Sequence, residues 1–141
     1  MNKEFEECLK RRKITEFERA KGLVSKELDQ AEVDLKSAKS SFENKGYKWS
    51  IIQAYYSMFH SARALIYSRG YRERSHYCLI IAIRALFVEE SLLSNTLVEG
   101  LQLGKKLREN ADYYGEFSED AASQMIENSA ELLTVTKKLT K

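Results

Sequence analysis

At 141 residues the chain has the size of one ordinary domain, long enough for a hydrophobic core without staples. Its 23 Lys+Arg against 21 Asp+Glu leave a formal charge of +2, which excludes a polycation that coats nucleic acid with its whole surface, so any phosphate recognition has to be local. No apolar run approaches the ~20 residues of a membrane helix, and Met1 leads into Lys3-Glu4-Phe5-Glu6-Glu7 rather than a signal peptide. A cytoplasmic protein with no membrane contact is expected. Cys8 and Cys78 are too few for a disulfide framework or a Cys-based zinc site, and read as free thiols in a reducing compartment.

The absence of proline, with no period-two alternation, predicts an all-α fold. Residues 1–22 read as a peripheral helix with Phe5, Cys8, Leu9 and Arg12 on or near one side. Its Lys10-Arg11-Arg12-Lys13 cluster reads as a solvated face, or as an extra contact to nucleic-acid backbone. Val24, Leu28, Ala31, Leu35, Ala38 and Phe42 then draw one buried stripe along a helix of 24–44, stopped by Asn44-Lys45-Gly46. A helix over 47–68 carries Trp49, Ile52, Tyr56, Phe59, Ala62 and Ile66 on one face and ends at Gly70. The next starts at the N-cap Ser75 and runs to about 91 through Ile80, Ile83 and Phe87. A helix over 96–113 uses Leu97, Leu101, Gly104, Leu107 and Ala111. The last, 119–139, follows the N-cap Ser118, with Glu119 and Asp120 at its positive dipole end. Short connections between four to five long helices predict an up-and-down bundle, with the N-terminal helix added, in a single domain over 1–141.

The connection Arg69-Gly70-Tyr71-Arg72-Glu73-Arg74-Ser75-His76 puts three guanidinium groups and an imidazole directly before a helix start. Free N–H groups at such a start favour anions, and arginine offers planar donors that match phosphate oxygens two at a time. As first helical residue, His76 should stay neutral beside the dipole and accept a proton near pH 7. If the flanking helices meet at one end of the bundle, Arg69 and His76 face each other across a single turn and can share a phosphate, with Arg72 and Arg74 holding flanking ones. Arg63, six residues before Arg69, is roughly 120° out of line with it. His60 reads as a packed, hydrogen-bonded histidine, and Tyr55 and Tyr56 as core or interface rings. Asp112 is placed to pair with Arg108 four residues back. Two histidines without carboxylates at ligand spacing predict no metal. Gly100 and Gly104 lack the rest of a phosphate loop and suit close helix approach, so no cofactor is expected.

Three separated segments resemble one family. Ala54-Tyr55-Tyr56-Ser57-Met58-Phe59-His60-Ser61-Ala62-Arg63-Ala64-Leu65 looks like the Tyr-Tyr…Phe-His-x-Ala-Arg-Ala-Leu helix of the HEPN (higher eukaryotes and prokaryotes nucleotide-binding) domain. Arg108-Glu109-Asn110-Ala111-Asp112-Tyr113-Tyr114 resembles that family's Arg-x-x-Ala-Asp-Tyr segment. Arg69 and His76, six residues between them, resemble its arginine and histidine separated by four to six. The resemblance covers roughly residues 25–139 and points to the small stand-alone bacterial and archaeal members.

This resemblance implies RNA cleavage without metal. A base takes the ribose 2′-OH proton, the oxygen attacks the adjacent phosphate, and a cyclic phosphate forms. Arg69 would stabilise charge on phosphorus and His76 would be acid or base, while Tyr56, His60, Arg63, Asp112 and Tyr113 would support the cleft. It further implies a homodimer with a composite cleft, and a toxin paired with a small nucleotidyltransferase antitoxin. The alternative is a non-catalytic module that binds a nucleotide or that nucleotidyltransferase.

Overall fold

The computed structural model describes residues 2–141. In chain order they form α1 (Lys3–Lys10), β1 (Ile14–Glu16), a 3₁₀ turn (Ala20–Leu23), α2 (Val24–Glu43), α3 (Tyr47–Ser68) and β2 (Tyr71–Glu73). Then come α4 (His76–Ile83), a π-helical turn (Arg84–Val88), α5 (Asn95–Tyr114) and α6 (Glu119–Leu139). The protein is an all-α bundle with one small antiparallel ribbon, β1 against β2, in which Ile14 faces Glu73 and Thr15 faces Arg72.

The centre of the bundle is α3, packed by α2, α5 and α6. Ile51, Ala54, Met58, Ala62, Leu65 and Ile66 are buried on several sides of it, so it needs apolar or small residues nearly all round. Full burial of side chains such as Leu65 contributes about 1.5–3 kcal/mol each. Small residues let α2 come close: the Ser50 and Ser57 hydroxyls donate to the carbonyls of Ala38 and Ala31 at 2.8 and 2.7 Å. Gly104 does the same for α5, because a Cβ there would stand 2.7 Å from Met58 Cε and 3.4 Å from Met125 Cε.

Three sequence expectations change. The single buried face expected for α3 fails at Trp49 and Tyr56, which are 55% and 37% exposed, because a central helix is covered by neighbours on several sides rather than along one stripe. Residues 1–22 are not one helix. The chain turns at Arg12, whose φ is 59°, and the residues after it pair with β2. The helix expected to reach 91 loosens into the π turn and closes where the Leu92 and Leu93 N–H groups both donate to the Phe87 carbonyl.

The cysteines are not free thiols: Cys8 and Cys78 form a disulfide, both are buried, and their Cα atoms are 5.8 Å apart. Sequence separation of 70 hides this pair, and only the packing of α1 on α4 brings it into bonding range. The reducing-compartment argument lapses with it. Among the described residues no helix is long and apolar enough to cross a membrane.

Candidate functional site

Ser75 caps α4 as expected, its hydroxyl accepting from the Cys78 N–H at 3.0 Å. This fixes His76 at the first helical position. The imidazole lies against α3, with Nδ1 3.3 Å from the Tyr55 hydroxyl and the two rings 6.3 Å apart. Nε2 is buried and has no protein partner. Burial, and then the Lys105 ammonium, hold the His76 pKa below its ordinary 6.5, while Glu109 pulls the other way. The imidazole is therefore neutral at pH 7. Tyr55 is pushed up to about 12, first by burial, so it keeps its proton and serves as a hydrogen-bonding brace rather than a base.

His76 forms part of the wall of a cavity of about 380 Å³ between α4, α5 and the start of α1. Ile80 and Ile81 form its apolar side, and Arg84 and Lys105 bring positive charge. Arg84 is held by neutral groups, with Nε 3.1 Å from Asn95 Oδ1 and Nη2 2.9 Å from Gln102 Oε1. Neither Arg84 nor Lys105 has a carboxylate partner among the described residues. The carboxylate in the wall, Glu4, accepts from the Tyr77 hydroxyl at 3.1 Å. A neutral imidazole near the Lys105 ammonium, in one cavity wall with Arg84, suits a phosphate group and a proton transfer beside it.

Arg69 is not in this cavity. Its guanidinium carbon sits 4.5 Å from the centroid of Phe87, which follows His76 by eleven residues, roughly 16 Å of helix. Tyr55, which touches His76, precedes Arg69 by fourteen residues, roughly 21 Å along α3. β2 runs back beside α3 as an extended strand, so α4 restarts near the middle of α3 and runs parallel to its second half. The expected meeting of Arg69 and His76 across one turn does not occur within a chain. The connection is not a tight turn, because its residues pair with β1.

The remaining predicted site residues fall into three groups. Tyr56, Asp112 and Tyr113 gather round Arg108, whose Nη2 donates to Tyr56 Oη at 2.9 Å and lies 3.5 Å from Asp112 Oδ2, and whose Nη1 is 3.4 Å from Tyr113 Oη. His60 and Arg63 belong to a separate network: His60 Nδ1 is 2.6 Å from Glu27 and Nε2 is 3.7 Å from Asp34. Arg63 meets Glu27 at 3.4 Å and Glu73 at 3.3 Å and bonds the Tyr67 hydroxyl. Arg72 and Arg74 stand together on the ribbon, beside another shallow cavity. Sequence reading missed Arg84, Lys105 and Glu4. The one signal for Lys105 is its place one turn before Arg108 in the Arg-x-x-Ala-Asp-Tyr helix.

The HEPN domain model matches residues 24–139. The chain belongs to the HEPN domain family. Two Methanocaldococcus jannaschii proteins named as putative toxins are similar to it. One is 31% identical over 102 residues, 72% of this chain and 76% of that protein; the other is 25% identical over 130 residues, 91% and 88%. An Archaeoglobus fulgidus UPF0332 protein is 34% identical over 101 residues, covering 70% of this chain and 80% of its own. The HEPN match takes in His76, Arg84 and Lys105, whereas α1 and β1, which wall the cavity and pair with β2, precede it.

Proposed function

We propose that this HEPN protein is a metal-independent endoribonuclease acting as the toxin of a toxin–antitoxin pair. One observation carries the reading: His76, whose Nε2 is unpartnered, lines a cavity whose cations, Arg84 and Lys105, lack carboxylate partners among the described residues. The names of the M. jannaschii relatives support the toxin role. With Nδ1–H donated to the Tyr55 hydroxyl oxygen, Nε2 presents its lone pair and takes the ribose 2′-OH proton. The 2′ oxygen attacks phosphorus, Lys105 and Arg84 stabilise the charge that gathers on the phosphoryl oxygens, and the 5′ oxygen leaves with a proton from an acid.

One chain offers one imidazole there, and the step needs an acid as well as a base. Two-fold pairing of a homodimer would supply a second His76, and the exposed Tyr56, Tyr113 and Tyr114 offer an aromatic surface for it. Arg72 and Arg74 hold flanking phosphates in this reading. Arg69, anchored on Phe87, is assigned no step in the one-chain site. The antitoxin, in the same reading, is a small nucleotidyltransferase.

The test is incubation of the purified protein with end-labelled RNA in excess chelator. Cleavage to 2′,3′-cyclic phosphate ends, lost by about 10²-fold or more in His76→Ala, is expected. Equal rates in wild type and His76→Ala would refute the reading.

A further inference from the structure

Arg12, Arg72 and Arg74 line one shallow cavity of about 530 Å³ on the outer face of the ribbon, together with Thr15, Glu16 and Phe17. Pairing register explains how they meet. Ile14 and Glu73 form one cross-strand pair; Ile14 is buried and Glu73 reaches Arg63 inside, so the next pair, Thr15 and Arg72, points outward. Arg74 shares the Arg72 face, roughly 6.6 Å further along the strand. The turn at Arg12, with φ of 59°, folds the end of α1 back so that its side chain joins them.

None of the three arginines has an ion-pair partner among the described residues, unlike three of the protein's other six arginines. Arg11 pairs with Glu7, Arg63 with Glu27 and Glu73, and Arg108 with Asp112. The Arg72 Nε is buried without a partner, and its guanidinium carbon is 4.9 Å from the Phe17 ring centroid. Lys13 adds a further exposed charge beside the turn, and Glu16 is the opposing carboxylate in the cavity wall. Three arginines against the single carboxylate of Glu16 leave the cavity net positive, which suits a polyanion.

We propose that the outer face of the β1–β2 ribbon is a backbone track for single-stranded RNA, with Arg12, Arg72 and Arg74 each gripping a phosphate and Phe17 offering a base a stacking surface. The inference rests on the ribonuclease reading and deepens it, Arg74 being two residues before His76 in the chain. Guanidinium forks match phosphodiester oxygens two at a time, and a stacked Arg–Phe pair extends a flat surface to a neighbouring base. Half of the track, Arg12 and Phe17, comes from residues that precede the HEPN match, so the N-terminal segment adds substrate grip to the common bundle.

Binding of a short fluorescent 2′-O-methyl oligoribonucleotide, which has no attacking hydroxyl, isolates the track from cleavage. In the full chain, Arg12→Gln with Arg74→Gln is expected to weaken binding at least tenfold at low salt and to flatten the log–log salt slope by about 1.4, since each phosphate contact on a single strand contributes about 0.7. Arg12→Lys with Arg74→Lys, which keeps the charge, should fall between. Thermal melting of the Gln variant without RNA should be unchanged or slightly raised, as like charges have been removed.

Cleavage is read separately from binding: undiminished cleavage in His76→Ala refutes the nuclease reading, while the oligonucleotide affinities of the arginine variants alone decide the track. Unchanged affinity and slope in the Gln variant overturn the proposal. So does displacement of the oligonucleotide by polyglutamate or pyrophosphate at equal charge concentration, which would assign the cavity to an acidic peptide or a small anion.

Discussion

Two clusters of the same residue types lie on opposite sides of the story told by α3. On the α2 side, His60 and Arg63 share Glu27, Asp34, Glu73 and Tyr67, and each of the two faces a carboxylate within 4 Å. On the α4–α5 side, His76 touches a tyrosine, and its cavity holds Arg84 and Lys105 without a carboxylate partner for either. The first cluster has satisfied its charges internally and holds α2, α3 and β2 together. The second leaves positive charge unpaired and one buried imidazole nitrogen without a partner among the described residues. Residue type therefore says little here; the difference between scaffold and site is whether the counter-charge is built in.

The comparison can be broken most forcefully from the scaffold side. Arg63→Met leaves Glu27 and Glu73 without their cation, and a loss of about 3 kcal/mol is expected in denaturant unfolding, the low end for a broken buried pair because a quarter of the Arg63 side chain remains exposed. A loss below about 0.5 kcal/mol would mean the network is ornamental.

Somewhat smaller in free energy is the reciprocal effect of the two histidines. His76→Ala should cut RNA cleavage by about 10²-fold with little change in unfolding midpoint, whereas His60→Ala should lower the midpoint and leave cleavage per folded molecule within a few-fold. If both variants lose activity in proportion to stability, the distinction between the clusters is wrong.

The smallest effect is in pH. Since burial and Lys105 lower the His76 pKa, the acid limb of kcat/KM should lie below 6.5, and Lys105→Gln should move it up towards 6.5 while Glu109→Gln moves it down. The sign for stability follows from proton uptake. Below pH 6.5 the unfolded histidine binds a proton that the folded one resists, so this residue lowers stability as the pH falls, and has no such effect above 6.5. A limb that stays in place in both variants would remove these neighbours from the account.

Much of the bundle was legible because helix caps and apolar spacing are local signals. Ser75 and Ser118 cap the helices they were expected to cap, and 47–68 is bounded by the glycines on either side. What was illegible depended on distant pairing. A three-residue strand at Ile14–Glu16 has no period to read, yet it turns the 69–76 connection from a bend into an extended return and separates Arg69 from His76. The Cys8–Cys78 bond and the approach of Lys105 to His76 likewise arise only once α1 and α5 are packed on α4.

In the proposed reaction the phosphate sits with His76, Arg84 and Lys105 rather than between Arg69 and His76. Cleavage of one labelled RNA in chelator by Arg69→Ala and by Lys105→Ala, each compared with wild type at matched folded concentration, tests it most directly. The account predicts a loss of about 10²-fold for Lys105→Ala and a change of no more than a few-fold for Arg69→Ala. Loss confined to Arg69→Ala would contradict it.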